Sequence, residues 1–250
     1  MRPRIAIPVP HSGDPEYAGR AFAQYQRAVE MAGGDPVRIP LDKAPVDVLK
    51  LIERCDAVLL PGSPADVDPA KYATARDPKT AEADSRRDTV DELLLEDAYH
   101  LRKPVLGICY GLQILNVYRT GSLIQHVQSP VNHEAGRKVA VAHTVDIAPG
   151  SLLAEIVRET CADPGRMPVN SSHHQSADVV GHGLRAVARC WEDGVLEAVE
   201  GTAPDHFVLA VQWHPERSVD DDPASRAIFS ALVKAAQARR QERVGEVENL

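Results

Sequence analysis

Through the first half of the chain, short unbroken apolar runs alternate with segments whose apolar residues recur every three or four positions. Arg4–Pro8, residues 37–39, Ala57–Leu60 and Val105–Ile108 are too short for helices and predict buried strands. Between them, residues 16–31 place Ala18, Phe22, Tyr25 and Val29 at helical spacing and stop at Gly33-Gly34, where a helix end is favoured. Residues 46–54 (Val46, Leu49, Ile52), Ser85–Leu101 (Val90, Leu93, Leu94, Ala98) and residues 112–118 predict three further helices. Apolar strands separated by helices pair in parallel through right-handed crossovers and need cover on both faces.

The second half has a different rhythm. Residues 138–147 alternate, with Val139, Val141, His143, Val145 and Ile147 on one side, which predicts a half-exposed strand. Leu184–Cys190 and residues 195–199 and 207–212 predict more strands, with Asp193-Gly194 turning the chain between the first two. A last helix is expected from Asp222-Pro223, carrying Ile228, Phe229, Leu232 and Val233 inward and fraying from about residue 240. The expectation is an α/β fold in one domain over residues 1–250, with a mostly parallel central sheet, helices on both faces, and antiparallel strands in the C-terminal half. Residues 63–84 form the longest irregular stretch, and loops of that length in compact domains commonly carry function.

Composition narrows the classes. The 250 residues hold 28 Lys+Arg against 36 Asp+Glu, a formal net charge of −8, which disfavours a nucleic-acid partner because phosphate binding calls for a basic face. No apolar run reaches the ~18 residues of a membrane span, so no membrane partner is expected. The first apolar stretch is too short for a secretory signal, and a cytoplasmic location is expected. Cys55, Cys109, Cys161 and Cys190 are scattered without a C-x-x-C pair, so neither a disulfide framework nor a zinc cage is expected.

Gly107-Ile108-Cys109-Tyr110-Gly111 lies where a buried strand meets a helix. With 16 Gly and 4 Cys in 250 residues, a G-x-C-x-G string is expected by chance about 0.02 times, so a functional reading is preferred. A nucleophile at such an elbow stands above the sheet edge with small neighbours on either side. The helix N-terminus aimed at it is expected to lower the thiol pKa. The base is expected from Gln212-Trp213-His214-Pro215-Glu216, directly after the last strand, with Glu216 holding one imidazole nitrogen of His214 while the other faces sulfur. An oxyanion needs donors; the backbone N–H groups of Tyr110 and of Gly62, in Pro61-Gly62-Ser63-Pro64, are the candidates. The ten histidines include His173-His174, but no neighbouring carboxylate or thiol completes a ligand shell. No metal and no cofactor are expected.

These stretches resemble the class I glutamine amidotransferase-like superfamily, and within it the free-standing gamma-glutamyl-gamma-aminobutyrate hydrolase (peptidase C26) family. The likeness runs from Leu60-Pro61-Gly62 with Asp66 and Pro69, through Asp84 with Arg87-Asp88, to the elbow with Gln113 and Asn116. It continues through Gly121-Ser122-Leu123-Ile124-Gln125, Val169-Asn170-Ser171-Ser172-His173-His174-Gln175, Asp193-Gly194 and the His-Pro-Glu segment. The resemblance implies a flavodoxin-like fold, Cys109 as nucleophile, His214 as base and acid, and Glu216 as its orienter. It also implies that Gln113 helps hold a glutamyl group and that Ser171, Ser172 and His173 line the substrate side. Relatives often carry Gly-Gly where this chain has Gly62-Ser63, and Arg where it has Tyr110.

The expected activity is therefore hydrolysis of a small-molecule gamma-glutamyl amide through a thioester. A glutaminase subunit passing ammonia to a separate synthetase is the nearest alternative, and a non-catalytic binding relative is the second. The leaving amine and the oligomeric state are not legible, and a homodimer is as admissible as a monomer.

Overall fold

In the computed structural model, which describes residues 1–161, 163 and 165–248, with side chains through 242, nine strands form one sheet. The elements are β1 (Arg4–Pro8), α1 (Pro15–Met31), β2 (Asp35–Ile39), α2 (Pro45–Ile52), β3 (Ala57–Leu60), α3 (Ser85–Leu101), β4 (Val105–Ile108) and α4 (Tyr110–Tyr118). There follow β5 (Leu123–Ile124), β6 (His143–Ile147), α5 (Leu152–Val157), β7 (Arg166–Val169), β8 (Ser176–Ala177), β9 (Leu184–Cys190), β10 (Leu196–Gly201), β11 (Val208–Val211) and α6 (Pro223–Glu248). The sheet order is β2-β1-β3-β4-β11-β10-β9-β6-β7, and β5 pairs with β8 separately.

The first five strands of that order are parallel and the remaining pairings are antiparallel. The parallel half repeats the 2-1-3-4-5 order of doubly wound flavodoxin-like sheets, with β11 as fifth strand, and ligands sit at the C-terminal strand edge of such sheets. β3, β4 and β11 are buried along their whole length, as strands covered on both faces must be. One core layer packs α1, α5 and α6 residues such as Phe22, Tyr25, Leu153, Ile228 and Phe229 against Ile5, Leu59, Leu106 and Val211. The opposite layer packs α2, α3 and α4 residues such as Val48, Ile52, Leu94 and Leu115 against Ala6, Val58 and Val105.

Helix ends follow local chemistry. Asp14 caps α1 by accepting from Tyr17 N–H at 2.9 Å, Pro15 occupies the first turn, and Gly33 takes φ +88° just beyond the end. Asp222 accepts from the Ala224 and Ser225 N–H groups at the start of α6. One expectation needs correction. The strand expected over 138–147 forms only from His143, because Val139 and Val141 find no strand partner and stay exposed. The last helix runs from Pro223 to Glu248, and of the tail expected to fray Asn249 and Leu250 lie outside the described residues. Among the described residues no helix is long and apolar enough to cross a membrane.

Candidate active site

Cys109 follows β4 without a spacer and caps α4 with φ +54° and ψ −106°, a conformation that costs a non-glycine residue free energy. The neighbours impose it. Its N–H donates to Val211 O on β11 at 2.8 Å, while its carbonyl accepts from the Leu112 and Gln113 N–H groups at 3.0 and 3.3 Å. The chain thus turns from strand to helix at a single residue. The flanking glycines are steric requirements: a Cβ at Gly111 would stand 2.1 Å from Leu60 O, and one at Gly107 would stand 2.7 Å from Gly111 O. Gly111→Ala should therefore cost about 3 kcal/mol and lower Tm by about 6–12 °C. A melting curve within a degree or two of wild type would contradict this account of the elbow.

His214 comes from the segment after β11, the strand paired with β4. Its Nδ1 lies 2.8 Å from Glu216 Oε1 across a short 3-10 turn, Pro215–Arg217. The carboxylate accepts only, so Nδ1 carries the hydrogen and Nε2 is left as the lone pair. That Nε2 is buried with no hydrogen-bond partner. A Cβ placed on Gly62 would be 3.0 Å from His214 Cε1 and 3.6 Å from Cys109 Cβ, so the three predicted positions converge on one small volume. Asn170, just after β7, clamps the base: its Nδ2 donates to His214 O at 2.9 Å and its Oδ1 accepts from His214 N–H at 3.0 Å.

Burial sets the protonation state of the pair. Burial pushes the Cys109 thiol up to about 12, against the smaller lowering effects of Arg217 and of the Tyr110 N–H. The expected lowering of the thiol pKa is thus corrected; the helix start acts in the anticipated direction but desolvation outweighs it. Burial likewise holds His214 below the usual histidine value, with Glu216 acting against it. Thiol and imidazole therefore rest uncharged at neutral pH.

The two oxyanion candidates differ in their present occupation. The Tyr110 N–H belongs to the unsatisfied first turn of α4 and faces the Cys109 sulfur. The Gly62 N–H donates at 2.9 Å to the hydroxyl of Tyr25, a residue whose helical spacing had marked it only as core. Tyr25 is buried, and burial together with the Glu216 charge raises its pKa well above the ordinary value. Tyr17, one helical turn before Ala21, also borders the site, with its hydroxyl pushed up to about 12 by burial first, then by Cys109 where that thiol is ionised and by the Glu216 charge.

The remaining predicted residues are distributed unevenly. Gln113 Nε2 donates to Gln175 O at 3.2 Å and lies 3.4 Å from Gln212 Oε1, behind the elbow. Ser171 is fully buried and its hydroxyl donates to His133 O at 2.7 Å. Ser172 Oγ accepts from Arg217 Nη1 at 2.7 Å, which brings it beside the His214–Glu216 turn. His173 Nδ1 donates to Gln175 O at 2.9 Å, and its Nε2 faces the carboxylate of Glu197.

Asp84, Arg87 and Asp88 build the floor under these loops. Asp84 accepts from the Ser12 N–H and hydroxyl and from the Arg87 N–H. Arg87, fully buried, pairs with Asp91 at 2.8 Å and donates to Pro10 O and Pro61 O, at the ends of β1 and β3. Its guanidinium lies 5.0 Å from the centre of the Tyr110 ring, whose hydroxyl donates to Asp88 at 2.5 Å. The Tyr110 side chain is thus part of this floor, and only its backbone faces the reaction volume. Among the described residues, His133, His143 and Glu197 bring three ligand-type atoms within 4.8 Å of one another.

Comparison with known proteins gives a consistent frame. The sequence profile of the Peptidase C26 family matches residues 11–216. A Mycobacterium tuberculosis protein provisionally named a glutamine amidotransferase is 40% identical over 223 residues, covering 88% of this chain and 68% of its own. The gamma-glutamyl-gamma-aminobutyrate hydrolase of Escherichia coli is 35% identical over 226 residues, covering 86% and 85%. A solved Thermoplasma acidophilum structure, provisionally assigned as one component of a GMP synthase, superposes with a TM-score of 0.65 over 97% of this chain and 98% of that one. At 14% identity that likeness shows the fold.

Proposed function

The chain belongs to the Peptidase C26 family, and we propose on that footing that it hydrolyses gamma-glutamyl amides with Cys109 as nucleophile, His214 as base and acid, and Glu216 as orienter. One observation carries the reading. A cysteine strained at an elbow, an imidazole with a free buried Nε2, and a carboxylate fixing that tautomer meet beside one glycine.

The uncharged resting pair defines the steps. As Cys109 Sγ attacks the side-chain carbonyl carbon, the thiol proton passes to His214 Nε2 and the C=O electrons move to oxygen. The Tyr110 N–H is placed to donate to that oxygen, and the Gly62 N–H joins it once Tyr25 yields the contact. Collapse re-forms the carbonyl and expels the amine, which takes the proton from His214, leaving a gamma-glutamyl thioester. Water then gives a proton to His214 and attacks the thioester. The sulfur leaves, regains that proton, and glutamate is released.

The test is a panel of gamma-glutamyl compounds, including gamma-glutamyl-gamma-aminobutyrate and glutamine, scored for glutamate release by wild type and by Cys109→Ser. Release that is equal in both proteins would overturn the proposal. The glutaminase reading draws on the name of the 40%-identical relative. It predicts glutamine as preferred substrate and turnover that rises on adding a synthetase.

A pH profile tests the base. Only neutral His214 accepts a proton, and burial holds its pKa low, so the acid limb of kcat/KM should fall below pH 6.5, the ordinary histidine value. Glu216 raises the His214 pKa. Glu216→Gln should therefore shift that limb further toward acid while kcat drops about 10²- to 10⁴-fold. An acid limb unmoved or displaced upward would contradict the pairing.

A further inference from the structure

Three imidazoles that the proposed reaction does not use surround one carboxylate. His133 precedes β6, His143 opens β6, His173 lies between β7 and β8, and Glu197 sits on β10. Their side chains are at most 3% exposed, and that of Glu197 is fully buried. Glu197 Oε1 lies 3.3 Å from His133 Nδ1, 3.0 Å from His143 Nε2 and 3.4 Å from His173 Nε2. Yet none of these four atoms has a hydrogen-bond partner. At such separations the missing bonds are a matter of direction: the ring N–H axes do not point at the oxygen.

Two of the outer nitrogens are already committed, while His143 Nδ1 has no hydrogen-bond partner. His133 Nε2 lies 2.8 Å from Asp193 Oδ2, and His173 Nδ1 lies 2.9 Å from Gln175 O. Both partners only accept, so those nitrogens carry hydrogen, and when the His133 and His173 rings are neutral their inner nitrogens present lone pairs to the carboxylate. Lone pairs facing an anion at this range repel unless a cation lies between them.

We propose that Glu197, His133 and His143, whose ligand atoms lie within 4.8 Å of one another, form a binding site for a divalent transition-metal ion of the zinc class, with His173 at its border. A tetrahedral shell with bonds of about 2.0–2.1 Å separates neighbouring donor atoms by about 3.3 Å, and the contacts of Glu197 Oε1 to His133 Nδ1 and His143 Nε2, at 3.3 and 3.0 Å, lie close to that value. Within such a shell each lone pair aims at the ion, not along the edge to the next ligand, which accounts for close contacts that are not hydrogen bonds. Asp193 supplies the outer acceptor that orients a metal-bound His133 imidazole. Asp193 is itself held by the Ser129 hydroxyl and the Val195 N–H. Two imidazoles and one carboxylate suit zinc, cobalt or nickel better than magnesium or calcium, which favour all-oxygen shells. Three protein ligands leave the fourth position to water, and the ion ties the segment before β6, β6 itself and strand β10 into one unit.

The sequence hid this site because Glu197 lies 54 residues beyond His143, inside an apolar run. The test uses the full-length Cys109→Ser chain, stripped with a chelator and checked by circular dichroism, so that the reactive thiol contributes no ligand. Co²⁺ titration should saturate at one equivalent with the visible bands of tetrahedral cobalt, and Zn²⁺ should displace it and raise Tm. His143→Gln and Glu197→Gln should lose the bands, and Asp193→Asn should weaken apparent affinity about 10- to 100-fold. A spectrum that stays that of hydrated Co²⁺ would overturn the site, as would bands that persist in folded Glu197→Gln or His143→Gln. If a ligand variant does not fold, the parent titration alone decides between these outcomes.

Discussion

Cys109→Ala and His214→Ala should each lower kcat for gamma-glutamyl hydrolysis by on the order of 10⁴- to 10⁶-fold, and the double variant should lose little more than either alone. The reason is the uncharged resting state. With burial holding the thiol near 12, almost no thiolate forms at neutral pH without a base. With the sulfur gone, His214 has no nucleophile to activate. The two residues act as one device, and independent contributions would multiply instead. Single-turnover assays on the three variants, with circular dichroism to confirm folding, measure this directly. A double variant slower than the singles by the product of their losses would show that the two groups do not share a step.

The second large effect is on stability. Arg87→Met removes a fully buried guanidinium that pairs with Asp91 and supplies donors to Pro10 O and Pro61 O. Breaking one side of a buried pair costs about 3–5 kcal/mol, so a loss of about 4 kcal/mol and a Tm lower by about 8–16 °C are expected. Asp91 limits the damage by taking a proton. Burial already raises its carboxyl to about 6 even with Arg87 acting against that shift, and without Arg87 the folded-state pKa rises further. An acid whose folded pKa exceeds its unfolded value, ~3.9, contributes stability that is fully present below that value and is lost as pH rises through the folded pKa. The variant should therefore fall further behind wild type at pH 8 than at pH 5. Denaturant melts at both pH values check the sign, and a smaller deficit at pH 8 would refute it. Because Arg87 ties the ends of β1 and β3 beneath Tyr110, activity should decline at temperatures where wild type is still intact.

Much of this architecture was legible because the parallel strands are continuous apolar runs. Arg4–Pro8, Ala57–Leu60, Val105–Ile108 and Leu184–Cys190 have the expected bounds. What escaped notice was short or disguised. β7 contains Pro168, α5 spans six residues, and β5 and β8 are two-residue strands, too brief for any periodicity to register. Val139 and Val141 alternate like a strand but have none to join. At the site, Cys109, Gly62 and the His214–Glu216 pair were legible because each stands in a local string at a strand end. Tyr25 was not, since its ring fits the apolar stripe of α1 and nothing in the spacing shows that its hydroxyl reaches Gly62. Asn170 was visible only within a polar stretch; its grip on both backbone groups of His214 depends on a fold-level juxtaposition 44 residues apart.

The position of β11 has a consequence for synthesis on the ribosome. Its partners β4 and β10 are separated by almost ninety residues of chain, and β11 is the last strand to emerge. Until it slots in, a growing polypeptide presents Val105–Ile108 as a bare, water-averse margin with unfilled amide positions, an invitation to stick to its neighbours. Late insertion also means that a truncated product ending before residue 208 would own the sulfur yet lack the imidazole, so the reactive pair is born only when translation is nearly finished.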